Sequence, residues 1–178
     1  MTEDAVAFGS RAYLWLLAML LVSRAADMLS TWIATPNLAL EANPIARRLG
    51  WKWGVVLNLV ICVLLAQHPV AAIILITCSS LIAARNFQSA WAMRALGEEQ
   101  YKLWYSVQLM QSGRGMFLFC TVSHACLVGG IGVLLVFTSP EQIVSLSVGL
   151  GMGVYALAVV FFTLLATWRF IRGREHSR

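Results

Sequence analysis

Arg24 and Asp27, three residues apart in an otherwise apolar stretch, are the residues of this chain best placed to do chemistry. Charged side chains within a hydrophobic helix are costly and normally turn towards a bundle interior or water. At i, i+3 the two share one helical face and can neutralise each other, and Ser30 and Thr31 carry that face on by a further turn. Such a pair serves either as a pin between neighbouring helices or as a site for a substrate, proton or ion. A second group follows at Glu41-Ala42-Asn43-Pro44. Asn suits a helix N-cap, and Pro suits the first helical position, where its missing N–H would be unpaired anyway. Glu41 would then lie at the mouth of whatever space Asp27 faces. Asn58, Arg85, Asn86 and His124 complete the polar set inside apolar runs. Asp27, Glu41 and His124 are the candidates for a divalent cation, but their spacing matches no metal motif, and neither a metal nor another cofactor is expected.

Five apolar runs must position these residues, each near the roughly 20 residues that cross a bilayer as a helix. They cover about 13–33, 51–67, 70–84, 115–137 and 143–168, the third with an option of continuing as helix to Leu96. The second and third are joined only by the His68-Pro69 turn, so they form either two crossings or a re-entrant hairpin. Two crossings are preferred, because a re-entrant segment needs protein to shield it. The expected fold is all-α, a single integral membrane helical bundle with five transmembrane helices. Between the third and fourth runs, 97–113 carries Tyr101, Trp104 and Tyr105 among charges and reads as interfacial. Its apolar positions alternate by two, so no secondary structure is assigned to it.

Orientation follows from charge. Eleven of the thirteen Lys and Arg residues fall in three segments, between the first and second runs, between the third and fourth, and after the fifth. Cytoplasmic loops collect Lys and Arg, which gives an N-out, C-in topology in a cell inner (plasma) membrane. The acidic start, Glu3 and Asp4, adds little to that. A cleaved signal peptide over Tyr13–Val22 is disfavoured, since the residues before it are acidic rather than basic. With this topology every run is more polar towards the cytoplasm, which predicts a hydrated or ligand-holding cavity open to that side.

Composition limits the rest. The chain has 178 residues, is 60% hydrophobic and only 12% charged, and cannot bury such composition in a soluble core of this size. Its net charge of +5 is explained by the positive-inside bias, so the lipid bilayer is the expected partner and nucleic acid is not. Cys62, Cys78, Cys120 and Cys126 sit in apolar runs without CxxC spacing and read as core packing. Gly149 and Gly153, with Ser145 and Ala156, favour close helix approach within one chain or in a homo-oligomer.

Asp27-x-x-Ser30-Thr31 followed by Glu41-x-Asn43-Pro44 resembles a group of small uncharacterised prokaryotic membrane proteins with an Asp/Thr element and then Glu-x-Asn-Pro. The likeness covers about Ala25 to Asn58. It implies a bacterial or archaeal origin and marks Asp27, Thr31, Glu41, Asn43 and Pro44, and it implies no activity. Asn43-Pro44-Ile45 differs from the aquaporin element in having one copy, and Glu98-Glu99 lacks the following Arg of the prenyl-protein protease motif. No HExxH, GxSxG or P-loop pattern occurs. Three functions remain: binding or transport of a small polar or ionic ligand, a non-catalytic subunit or assembly factor beside a partner membrane subunit, and an enzyme acting on a lipid headgroup. The first is favoured.

Overall fold

The computed structural model describes residues 5–175. Glu3, Asp4, His176 and Arg178 lie outside the described residues. The described chain forms six helices: α1 (Arg11–Ala34), α2 (Pro44–Leu65), α3 (Pro69–Leu96), α4 (Glu98–Ser112), α5 (Arg114–Thr138) and α6 (Ile143–Glu175). All but α4 are long and apolar enough to cross a membrane. The fold is an all-helical bundle, and its length and composition are those of a multi-pass membrane protein.

Local sequence explains where the helices start. The Ser10 hydroxyl accepts from Tyr13 N–H at 3.2 Å to cap α1. Asn43 caps α2 by accepting from Ile45 N–H at 3.0 Å, with Pro44 in the first turn, as the Asn-Pro pair predicts. Pro69 opens α3 in the same way. The second run begins earlier than expected because α2 includes a short first turn before Gly50. There φ is 66° and ψ is −176°, a conformation that is essentially restricted to glycine. That break lets the Trp51 indole reach back and donate to the Pro36 carbonyl at 2.8 Å. The third run takes the longer option, as one helix to Leu96. α3, with 28 residues, is long enough for a full crossing, whereas the 22 residues of α2 include the break at Gly50, after which the helix runs unbroken through 51–65.

α3 is the hub. It packs extensively on α1 and on α6, and α6 in turn packs on α5, while α2 and α4 are attached more lightly. Tyr13, Leu20, Cys62, Ala66 and Ala72 form one buried cluster, and Cys78, Tyr155 and Val159 another. The α5–α6 contact depends on two glycines. A Cβ on Gly132 would come within 2.6 Å of the Gly149 carbonyl oxygen, and one on Gly149 within 2.6 Å of the Gly132 oxygen. The close approach expected of Gly149 is therefore made inside the chain, whereas a Cβ on Gly153 would meet open space. Two of the four cysteines depart from expectation. Cys62 and Cys78 are buried, but Cys120 and Cys126 are exposed on α5, and all four are free. The large residues Leu14, Trp15, Val22, Phe119, Leu127, Leu157 and Phe161 point outwards, as a lipid-facing surface requires.

The segment 97–113, whose alternating pattern specifies no secondary structure, contains the helix α4. Residues 101, 105 and 109 are spaced by four, so they fall on one helical face. Tyr101 and Leu109 are buried while Leu103, Trp104 and Val107 are exposed. Alternation by two contained an i, i+4, i+8 stripe.

Candidate functional site

One end of the bundle encloses a cavity of about 490 Å³. This end carries the α1–α2 connection, α4 and the C-terminal part of α6. The position follows from chain direction: α1 and α3 run towards it, α2 runs away from it, and α4 covers it. At the opposite end Val6 N–H donates to the Gln67 carbonyl at 2.8 Å, tying the start of the chain to the α2–α3 turn.

The centre of the site is the Arg24 guanidinium. Its Nη1 donates to Asp27 Oδ2 at 2.8 Å and to Ser79 Oγ at 2.9 Å, and its Nε donates to Asn58 Oδ1 at 2.6 Å. One side chain thus joins α1, α2 and α3. Asn58 is held in turn by donating through Nδ2 to the Gly54 carbonyl at 2.8 Å. The Arg24 and Asp27 side chains keep 22% and 15% of their exposure, and both border the cavity. Further along, Asn86 Nδ2 donates to Thr31 Oγ1 at 3.4 Å and Arg85 Nη2 to Thr163 Oγ1 at 3.2 Å. These bonds join α3 to α1 and to α6 around the same space.

The mouth is built from the α1–α2 connection and α4. Glu41 Oε1 accepts from Asn43 N–H at 2.7 Å, which orders the residues before the α2 cap. Glu98 Oε1 accepts from Thr35 Oγ1 at 3.0 Å and from Asn37 N–H at 2.8 Å. The first turn of α4 is thereby clasped to the connection. Leu38 between them has φ 56°, a left-handed conformation costly for a non-glycine residue, and its N–H donates to the Thr35 carbonyl at 3.0 Å. Tyr101 and Tyr105 line the cavity from α4. Burial pushes both phenols above the ordinary tyrosine value of 10.0, with the neighbouring Thr167 side chain and the Arg85 charge holding back part of the rise at Tyr105. Both are neutral hydroxyls at physiological pH.

Of the residues singled out from sequence, Arg24, Asp27, Thr31, Glu41, Asn43, Asn58, Arg85 and Asn86 all line this cavity. His124 does not. It lies exposed on α5, with Nε2 3.0 Å from the Tyr155 hydroxyl, because α5 packs on α6 and α4 and is separated from the cavity by α6. Asp27, Glu41 and His124 therefore do not converge, and among the described residues no three His, Cys, Asp or Glu side chains group to hold a metal ion. Sequence reasoning missed Ser79 as the third partner of Arg24, Glu98 as the clasp, and the two tyrosines as cavity walls. The stripe of residues 101, 105 and 109 was the available signal for the tyrosines, whereas no signal along the chain pairs Glu98 with Thr35.

No protein-family model, curated protein or solved structure matches this chain.

Proposed function

We propose that this protein binds a small polar or ionic ligand in the cavity among α1, α2, α3, α4 and α6, reached from the cytoplasm, as a receptor or as one state of a transporter. The observation that carries the reading is convergence. Nine polar or charged residues spread from position 24 to position 86 line one space, in a chain that is only 12% charged. Polar groups at membrane depth are expensive, and pinning helices would need pairs, not a cavity. The exposed basic residues Arg47, Arg48 and Lys52 belong to the same end of the bundle, which the positive-inside bias assigns to the cytoplasm. The resemblance to small prokaryotic membrane proteins in the Asp/Thr and Glu-x-Asn-Pro elements agrees, since Asp27, Thr31, Glu41 and Asn43 are all on the lining.

The test is Glu41→Gln. A carboxylate outside the hydrocarbon contributes little to stability, typically no more than about 1 kcal/mol, and Gln keeps an acceptor for Asn43 N–H. Melting of the purified protein should hardly change, while ligand affinity, read as ligand-induced stabilisation in a panel of small ions, amines and organic acids, should shift, weakened for a cationic ligand and strengthened for an anionic one, since Gln removes a negative charge from the mouth. An unchanged affinity in Glu41→Gln removes the residue from the site.

A second reading, a subunit or self-associating protein, is favoured by His124. It stands about 15 Å along α5 from its start, near the middle of a hydrocarbon layer about 30 Å thick, and it is exposed. An ionisable side chain at that depth is normally covered by protein or water. Crosslinking through a Phe119→Cys or Leu127→Cys variant in native membranes distinguishes a covered α5 from a lipid-facing one.

A further inference from the structure

We infer that the ligand carries an oxyanion, a carboxylate or phosphate, and that Arg85 is its recognition residue. This rests on the cavity-binding reading above and adds the chemical class. The two arginines of the cavity are in different electrostatic states. Arg24 has its counter-charge built in, with Asp27 at 2.8 Å and two further acceptors in Ser79 and Asn58. Arg85 has none: Arg24–Asp27 is the ion pair within 4.0 Å among the described residues, and the bond that Arg85 makes is with the neutral Thr163 hydroxyl. A guanidinium presents five N–H donors in a rigid planar fork matched to carboxylate and phosphate. One bond to Thr163 leaves the rest of that fork in need of acceptors.

Position supports the assignment. Arg85 lies about 24 Å along α3 from Pro69, close to the inner boundary of a hydrocarbon layer about 30 Å thick. An arginine at this level could extend to the interface along the bundle surface. Its Nη2 is instead directed at Thr163 on α6, and both residues line the cavity. The neighbouring wall adds hydroxyl donors from Tyr101 and Tyr105 and apolar surface from Ile82, Val159 and Phe162. Donors at one end with apolar walls behind them suit an oxyanion attached to an apolar body. Two sources share this chemistry, a phosphate monoester lipid and a soluble phosphate or carboxylate.

The full chain in neutral maltoside micelles separates the alternatives by thermal shift. The probes are inorganic phosphate, butyrate, lysophosphatidic acid, lysophosphatidylcholine, methylammonium and glycerol. At least one of phosphate, butyrate and lysophosphatidic acid should stabilise the wild-type protein with saturation, and methylammonium and glycerol should neither stabilise it nor compete. Arg85→Gln should weaken that binding tenfold or more, and Arg85→Lys should fall between, since it keeps charge and loses the fork. Lysophosphatidic acid at least tenfold tighter than phosphate and lysophosphatidylcholine assigns a lipid source, and comparable affinities assign a soluble one. Where Arg85→Gln does not fold, competition among probes on the wild-type protein decides. Stabilisation by methylammonium or glycerol instead, unaltered in Arg85→Gln, overturns the oxyanion assignment and leaves the cavity-binding reading standing. Saturable stabilisation by none of the six overturns both.

Discussion

Arg24 spends its hydrogen bonds on three helices, so its loss and the loss of Asp27 should not be independent. Removing either partner strands a charge in a poorly solvated place, which costs about 3–5 kcal/mol, while removing both leaves only unfilled space and unpaired neutral groups. Arg24→Ala and Asp27→Ala should each lower the yield of folded protein in membranes more than the double variant does. A double variant at least as damaged as the worse single one contradicts mutual compensation. The tyrosines of α4 give a second residue-level expectation, with a definite sign. Burial raises both phenols above 10.0, so the folded state holds these protons more tightly than the unfolded chain. The linked stability is complete below pH 10 and is lost as pH rises through the higher folded values. Melting followed from pH 8 to 11 should show an alkaline fall that Tyr101→Phe with Tyr105→Phe reduces, and an unchanged fall excludes the phenols as its source.

At the level of helices, the chain made its spans more legible than their fit to one another. Long apolar runs with Ser10, Asn43-Pro44 and Pro69 at their starts specify α1, α2 and α3, because capping and apolar length act locally. The Arg24–Asp27 pair was legible for the same reason, being three residues apart. Ser79, Asn58 and Glu98 meet partners 34 to 63 positions away, and no local rule fixes such pairings. His124 shows the converse: its type and depth suggested the cavity, but α5 packs on α6 and α4 and contributes no residue to the lining. Two predictions belong here. Gly132→Val would push its side chain into the Gly149 carbonyl oxygen 2.6 Å from the Cβ position, costing about 1–3 kcal/mol by overpacking. Gly153→Ala enters open space and should be neutral or stabilising by up to about 1 kcal/mol; equal effects in denaturant titrations would contradict the α5–α6 packing. Glu98→Ala should release α4 from Thr35 and Asn37, raising amide hydrogen exchange in 35–40 and 98–105 about tenfold, while α5 and α6 keep their protection. Unchanged exchange in both segments would show that the clasp does not hold α4.

For the whole molecule, the distribution of polarity is the organising fact. One end of the bundle carries Arg24, Asp27, Asn58, Arg85 and Asn86 around a cavity whose mouth is lined by α4 and the α1–α2 connection, and the other end is tied by the Val6–Gln67 backbone bond. In the topology we propose from the positive-inside bias, these ends lie on opposite sides of a bilayer and the cavity end is the cytoplasmic one. The direct measurement is thiol labelling of Thr31→Cys, in a background with the four natural cysteines replaced, using a membrane-impermeant maleimide. Thr31 lines the cavity and is partly exposed there. Inside-out vesicles should label readily, intact cells should not, and an oxyanion that binds should slow the labelling. Labelling from the outer face, or no labelling from either face while Lys52→Cys reacts in inside-out vesicles, contradicts a cavity open to the cytoplasm.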